Sequence, residues 1–152
     1  MALVYLGLGT NLGDKEHNLN DAIVALWGIG FVIRLSKFYV SKPWGFESDN
    51  DFLNAVVSID TDLSPFEVLA KTQEIERNMG RKTKTTNNYS DRVIDIDILI
   101  YENIIIDQPT LKIPHPFLAE RDFVLIPLAE IAPDLVHPIL KKSIVELLNC
   151  RS

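Results

Sequence analysis

Hydrophobic positions recur along this chain with two periods, about 3.6 residues in some segments and 2 in others, and the alternation of the two predicts an order of elements. Leu3 to Leu8 is a short apolar run and reads as a strand. Gly9-Thr10-Asn11-Leu12-Gly13-Asp14 reads as the turn that leaves it, with Asp14 placed to cap a helix. Leu19, Ala22, Ile23, Leu26 and Trp27 then recur at helical spacing, which predicts a first helix with Trp27 on its buried face and Gly28 and Gly30 past its end. Phe31 to Val40 and Phe52 to Asp60 are rich in β-branched and aromatic residues and predict two strands. The stretch between them, Ser41 to Asp51, is too long for a tight hairpin turn, and loops of this size often serve function.

Ser64-Pro65-Phe66-Glu67 carries a capping box with proline at the first helical position. It opens a second helix whose apolar face is Val68, Leu69, Thr72, Ile75 and Met79, ended by Gly80. Arg81 to Arg92 has neither period. From Val93 to Tyr101 the alternation is strict, with Ile94, Ile96, Ile98 and Ile100 on one side and Asp95 and Asp97 on the other, so a strand is expected. After a turn at Glu102-Asn103, Ile104-Ile105-Ile106 reads as its hairpin partner, and a second capping box at Ser143 to Glu146 opens a short last helix. Strand-helix-strand-strand-helix-strand is the order of an α+β ferredoxin-like sandwich, an antiparallel sheet with helices on one face. A C-terminal hairpin and short helices would complete it. No repeat or linker divides the 152 residues, so a single domain over 1–152 is expected.

Composition narrows the class. No apolar run reaches the roughly 20 residues of a membrane helix, and the N-terminus lacks the basic lead and apolar core of a signal peptide. The single cysteine, Cys150, excludes an internal disulfide and fits a reducing, cytoplasmic compartment. A net charge of −6 argues against nucleic-acid and membrane partners, whose phosphates it would repel. Positive charge is instead local: Arg81, Lys82, Lys84 and Arg92 stand against Asp91 alone in the segment 81–92.

Asp95 and Asp97 carry the sharpest chemistry. Two residues apart on a strand, their carboxylates leave the same face about 6–7 Å apart, where they repel unless a cation or a proton intervenes. Paired carboxylates suit Mg²⁺, which completes its shell with water and substrate phosphates. A solvated strand face could also carry two acids, but cations just before the pair favour a Mg²⁺–polyphosphate between them. Arg81 and Arg92 sit at element boundaries, and guanidinium forks match phosphate geometry. The glycine-rich start fits no phosphate-loop spacing, since Asp14 stands where a lysine is needed. His115, between Pro114 and Pro116 and followed by Arg121, is displayed rigidly and could face a ligand or be structural. Phe52 and Asn54 share a strand face, and Gln73 and Glu76 share a helix face away from the apolar stripe; each pair alone reads as polar edge.

Together these residues resemble one family, the 6-hydroxymethyl-7,8-dihydropterin pyrophosphokinases. The resemblance runs from Tyr5 to about Pro138. It is carried by Tyr5 to Gly13, Phe52 to Val57, Gln73-Glu74-Ile75-Glu76 leading to Gly80-Arg81, Arg92 to Ile98, Pro114-His115-Pro116, Arg121 to Leu125 and Pro127 to Pro133. The resemblance implies transfer of pyrophosphate from ATP to the pterin hydroxymethyl group, a step of folate biosynthesis. It implies a catalytic set of Arg81, Arg92, Asp95 and Asp97, with two Mg²⁺ ions held by Asp95 and Asp97. ATP would meet Gln73, Glu76, Arg81, Arg92, Ile98, His115 and Arg121. The pterin would meet Pro43, Trp44, Gly45, Phe52, Asn54 and Phe123, with Phe52 and Phe123 stacking on it. Tyr89 stands where the family usually has tryptophan, Ser90-Asp91 where Gly-Pro is common, and Phe52 where tyrosine is frequent. The expected ligands are small molecules, ATP and a reduced pterin, and the expected state is a monomer with no fused or obligate protein partner. Two rivals remain: an Asp-x-Asp nucleotidyl- or glycosyltransferase, and a non-enzymatic ligand-binding domain of the same topology.

Overall fold

A computed structural model of the chain describes residues 1–44, 48–80 and 93–151. The first strand, β1 (Ala2–Thr10), runs through the middle of the main sheet. It pairs antiparallel with β4 (Phe52–Thr61) on one side and with β5 (Asp95–Tyr101) on the other. Two short strands, β2 (Phe31–Leu35) and β3 (Tyr39–Ser41), both add to the far side of β4, so the main path reads β2-β4-β1-β5. Helix α1 (Lys15–Leu26) crosses from β1 to β2, and α2 (Pro65–Asn78) from β4 to β5. This is the ferredoxin-like sandwich that the element order predicts. Among the described residues, no helix is long and apolar enough to cross a membrane.

Local signals set the helix starts. The Asp14 side chain accepts the His17 backbone N–H at 3.1 Å, and Ser64 and Glu67 form both bonds of the capping box of α2. Both helices bury their apolar stripes on one sheet face, against Val4, Leu6, Leu8, Ala55, Val57, Ile59, Ile94, Ile96 and Ile98. The opposite face is covered as well. Tyr5, Val56, Leu99 and Ile100 pack there against α3 (Asp122–Ile131) and α4 (Ile144–Asn149). Glu130 of α3 is anchored to the sheet by Tyr39 Oη, which donates to it at 2.6 Å, and by the Lys37 N–H.

Four expectations are corrected in detail. Phe31 to Val40 is two strands, because Ser36 interrupts the ladder: its hydroxyl donates to Lys37 O at 2.7 Å and accepts the Val56 N–H at 2.9 Å. Ile100 does not share a face with Ile94, Ile96 and Ile98. Tyr5 pairs with Ile100 but Leu6 with Ile98, so the register shifts by a bulge at Leu99 and Ile100 turns to the α3 side. Ile104-Ile105-Ile106 is not a partner of β5; the chain turns at Glu102, which adopts φ 50°, and β6 (Ile106–Gln108) pairs with β7 (Leu111–Ile113) instead. Trp27 is not buried. Leu26 fills the last core position of α1, and Trp27 caps the helix C-terminus with 54% of its surface exposed.

Gly30 shows why a side chain is excluded where α1 returns to the sheet. A Cβ there would stand 2.7 Å from the Asp60 carbonyl oxygen, closer than any packing can relieve.

Candidate active site

Three adjacent strands make the floor of a cavity of about 360 Å³, bordered by α2 and by the segment that leads into α3. In register across them lie Asn54 of β4, Gly9 of β1 and Asp95 of β5, with Gly7 opposite Asp97 in the next row. The two glycines keep this floor open. A Cβ on Gly9 would stand 3.2 Å from Asn54 Oδ1 and 3.6 Å from Phe52 Cδ1, and one on Gly7 would press on Leu99 at 3.4 Å. The alternation of β5 sends Ile96 and Ile98 into the core and both aspartates into the cavity. Asn54 donates its amide hydrogens to Tyr39 O at 3.1 Å and Ser41 Oγ at 2.7 Å, which leaves its oxygen as the acceptor for a ligand.

One wall comes from α2. Leu69, Gln73 and Glu76 line the cavity, and Glu76 is buried rather than a solvated edge. Its Oε2 accepts the Ile96 backbone N–H at 2.8 Å, between the two aspartates in sequence. A helix side chain thereby ties α2 to the strand that carries the acids.

The other wall comes from the segment between His115 and Val124, which follows the cis peptide bond of Ile113 to Pro114. The His115 N–H donates to Leu99 O at 2.9 Å, docking this segment on β5. His115 Nδ1 accepts the Phe117 N–H at 3.1 Å, so in the neutral ring the proton resides on Nε2, which lies 3.8 Å from Asp97 Oδ2. Burial pushes the His115 pKa down to about 4; the neighbouring Arg121 lowers it too, and Asp95 opposes. The His115–Asp97 contact is therefore that of a neutral N–H with a carboxylate at neutral pH, not an ion pair. Arg121 Nη1 reaches the same oxygen at 3.9 Å. Arg121 is 8% exposed, stacks over Trp44, Phe117 and Phe123, and keeps a buried Nε with no hydrogen-bond partner among the described residues.

The cavity thus gathers Gln73, Glu76, Asp95, Asp97, His115 and Arg121 with Trp44, Phe52, Asn54 and Phe123. Ile98 is not in its lining; it is buried with the core on the α1 and α2 side. Pro43 is half-buried beside Trp44 and does not line it either. Arg81, Arg92 and Gly45 lie outside the described residues. Two features escape a reading of the sequence alone. Phe117 lines the wall, signalled only by its place after Pro116, and Gly7 and Gly9 act as floor rather than as a simple turn.

Two carboxylates facing open volume are a donor set for a hard cation that draws its remaining ligands from water and substrate oxygen. Among the described residues no group of three or more His, Cys, Asp or Glu could enclose a metal. The positive guanidinium and the neutral imidazole beside Asp97 offer donors to an anion. The rings and Asn54 opposite offer an apolar slot with one polar edge.

Comparison with known proteins identifies the family. The model of the family 7,8-dihydro-6-hydroxymethylpterin-pyrophosphokinase (HPPK) matches residues 5–133. A protein of Aquifex aeolicus named 2-amino-4-hydroxy-6-hydroxymethyldihydropteridine pyrophosphokinase is 44% identical over 146 residues, which are 96% of this chain and 90% of that one. One of the same name from Porphyromonas gingivalis is 48% identical over 141 residues, 91% of this chain and 95% of that one. Among solved structures, Plasmodium falciparum HPPK-DHPS with pteroate superposes with a TM-score of 0.78 at 17% identity, a likeness of fold. It covers 98% of this chain, which spans 42% of that longer one.

Proposed function

This chain belongs to the 7,8-dihydro-6-hydroxymethylpterin-pyrophosphokinase family, and from that premise we propose that it transfers the β,γ-pyrophosphoryl unit of ATP to the hydroxymethyl group of 6-hydroxymethyl-7,8-dihydropterin. The observation that carries the reading at the level of residues is the convergence on Asp97. One carboxylate meets Arg121 and His115 at its own edge and shares its face with Asp95, which lies in the same row of the floor as Gly9 and Asn54. Anion donors, a cation site and an apolar slot within one cavity are what a polyphosphate donor and a flat heterocyclic acceptor require.

Asp95 and Asp97 fit Mg²⁺ by donor chemistry, and the reading gives them two ions shared with the ATP phosphates. When bound, such ions neutralise charge on the transferred group and help align it. The chain's own residues do the rest. Arg121 and the Nε2–H of His115 bind phosphate oxygen, Arg121 as a cation and His115, whose pKa burial lowers to about 4, as a neutral donor. Gln73 and Glu76 stand on the nucleotide side, and Glu76 also holds the backbone of Ile96 in place. Phe52 and Phe123 offer faces for the pterin ring, and Asn54 Oδ1 an acceptor for its amino edge. The pterin oxygen attacks the β-phosphorus, the bond between the β-phosphorus and its bridging oxygen to the α-phosphate breaks, and AMP leaves with that oxygen. The hydroxyl proton passes to solvent. Arg81 and Arg92 are assigned to the phosphates by sequence. Positioning and electrostatics, rather than covalent work by the protein, carry the rate. The reading treats 1–152 as one domain working as a monomer.

The test is to incubate the protein with ATP and the reduced pterin, with and without Mg²⁺, and to follow the nucleotide. AMP formed only with pterin and Mg²⁺ supports the reading. Release of free pyrophosphate in step with a nucleotidylated product would favour nucleotidyl transfer instead.

A further inference from the structure

Arg121 is fixed in an unusual way. Its Nε has no hydrogen-bond partner among the described residues, and its Nη1 stands 3.9 Å from Asp97 Oδ2, beyond hydrogen-bond reach. What defines the guanidinium plane is aromatic faces. The Trp44 ring centroid lies 4.3 Å from Arg121 Cζ, with Phe117 at 5.3 Å and Phe123 at 5.5 Å. Trp44 is the nearest, and indole is the strongest partner for a cation. The Trp44 ring is itself braced by Phe117, at 5.1 Å and a tilt of 50°.

Trp44 does not belong to the same wall. It comes after β3, whose Ser41 pairs with Phe52 and whose Tyr39 pairs with Asn54. The residue nearest the phosphate-side arginine is therefore rooted in the half of the cavity assigned to the acceptor. Resting on the reading of the cavity as an ATP and pterin site, we infer that Trp44 is a positioning residue for Arg121, its stacked indole holding the guanidinium toward Asp97 for a polyphosphate to meet. The ring acts through Arg121 and touches no reacting atom.

The position of Trp44 beside the pterin slot suggests a simpler role, a wall for the acceptor, and the two roles differ in what they change. The measurement is calorimetric titration with Mg²⁺ and α,β-methylene-ATP, whose bond to the transferred unit cannot break, with no pterin present. Trp44→Leu keeps apolar volume and removes the π face; Trp44→Phe keeps a weaker face. A stacked, largely desolvated cation supports an expected loss of about tenfold in analogue affinity for Trp44→Leu, with about two- to threefold for Trp44→Phe. In the Arg121→Lys background, where the planar fork is gone, the Trp44 substitutions should have little further effect. Unchanged analogue affinity in Trp44→Leu, with only the pterin KM raised, would overturn the inference. So would full additivity with Arg121→Lys, since the loss would then travel by another route. Should Trp44→Leu fail to fold, Trp44→Phe alone and in the Arg121→Lys background decides by the same criteria. Failure of the enzymatic reading is separate: wild-type protein that binds the analogue but yields no AMP from ATP and pterin would remove the activity and leave the Trp44–Arg121 coupling standing.

Discussion

Asp97 is where the charges of the site meet, with His115 Nε2 at 3.8 Å and Arg121 Nη1 at 3.9 Å from one oxygen and Asp95 on the same strand face. Asp95→Ala and Asp97→Ala should each leave a folded protein, because both side chains face the cavity rather than the core. Each should lower kcat by about a thousandfold or more, the scale of losing several kcal/mol of transition-state stabilisation at 1.36 kcal/mol per tenfold. Steady-state kinetics beside thermal melts check this; near-normal turnover in either variant contradicts the metal assignment. His115 gives a prediction of opposite kind, in stability. Its folded pKa is about 4 against 6.5 when unfolded, so between these values the unfolded chain binds the extra proton. The contribution is neutral above pH 6.5 and turns destabilising as pH falls toward 4. Urea unfolding at pH 7 and pH 5 should show the wild type losing on the order of 1–2 kcal/mol more than His115→Gln, which has no such proton to take up. Equal losses would mean that His115 is not held neutral.

Between elements, the contact that matters most for the site is Glu76 of α2 with the Ile96 N–H of β5, at 2.8 Å. Glu76→Ala leaves a buried donor unpaired and should cost about 1–3 kcal/mol. Ser64→Ala, which loses the cap at the other end of the same helix, should cost about 1 kcal/mol. The two differ in function: Glu76→Ala should also depress kcat, since it loosens the strand between Asp95 and Asp97, whereas Ser64→Ala should leave kcat unchanged. A paired measurement of unfolding free energy and kcat tests it, and equal kcat in both variants would leave Glu76 a purely structural link. What was legible in the sequence was local. Both capping boxes form, at Ser64 and at Ser143, because each is complete within four consecutive residues. The aspartates face away from the core because isoleucines flank them one residue off. Strand periodicity failed at Ile100 because a bulge is set by pairing with β1, and it ran Phe31 to Val40 together because the ladder bonds taken by the Ser36 hydroxyl come from β4. Helical periodicity marked Trp27 as core because the stripe does not show where α1 ends.

At the scale of the whole molecule, one sheet separates two cores. Its α1 and α2 side holds the larger, its α3 side the smaller, and the cavity draws residues from both α2 and the segment leading into α3. The site is assembled from β1, β4, β5, α2, the segment after β3 and the wall leading into α3, so its contacts are long-range. For that reason the aspartate strand could be read directly, whereas the stack of Arg121 on Trp44 and the burial of Glu76 could not. The fold order was readable because it depends on the sequence of periods, and the covering of the second face by α3 was not, since Pro127 within that helix breaks the expected signal. The central claim is the fate of the two terminal phosphates of ATP, and phosphorus NMR of a reaction with Mg²⁺ and 6-hydroxymethyl-7,8-dihydropterin tracks it directly. The β and γ resonances should move together onto the pterin, one pterin diphosphate for each AMP, and Asp97→Ala should abolish the transfer. Formation of ADP with a pterin monophosphate, or of free pyrophosphate without a pterin diphosphate, would contradict the claim.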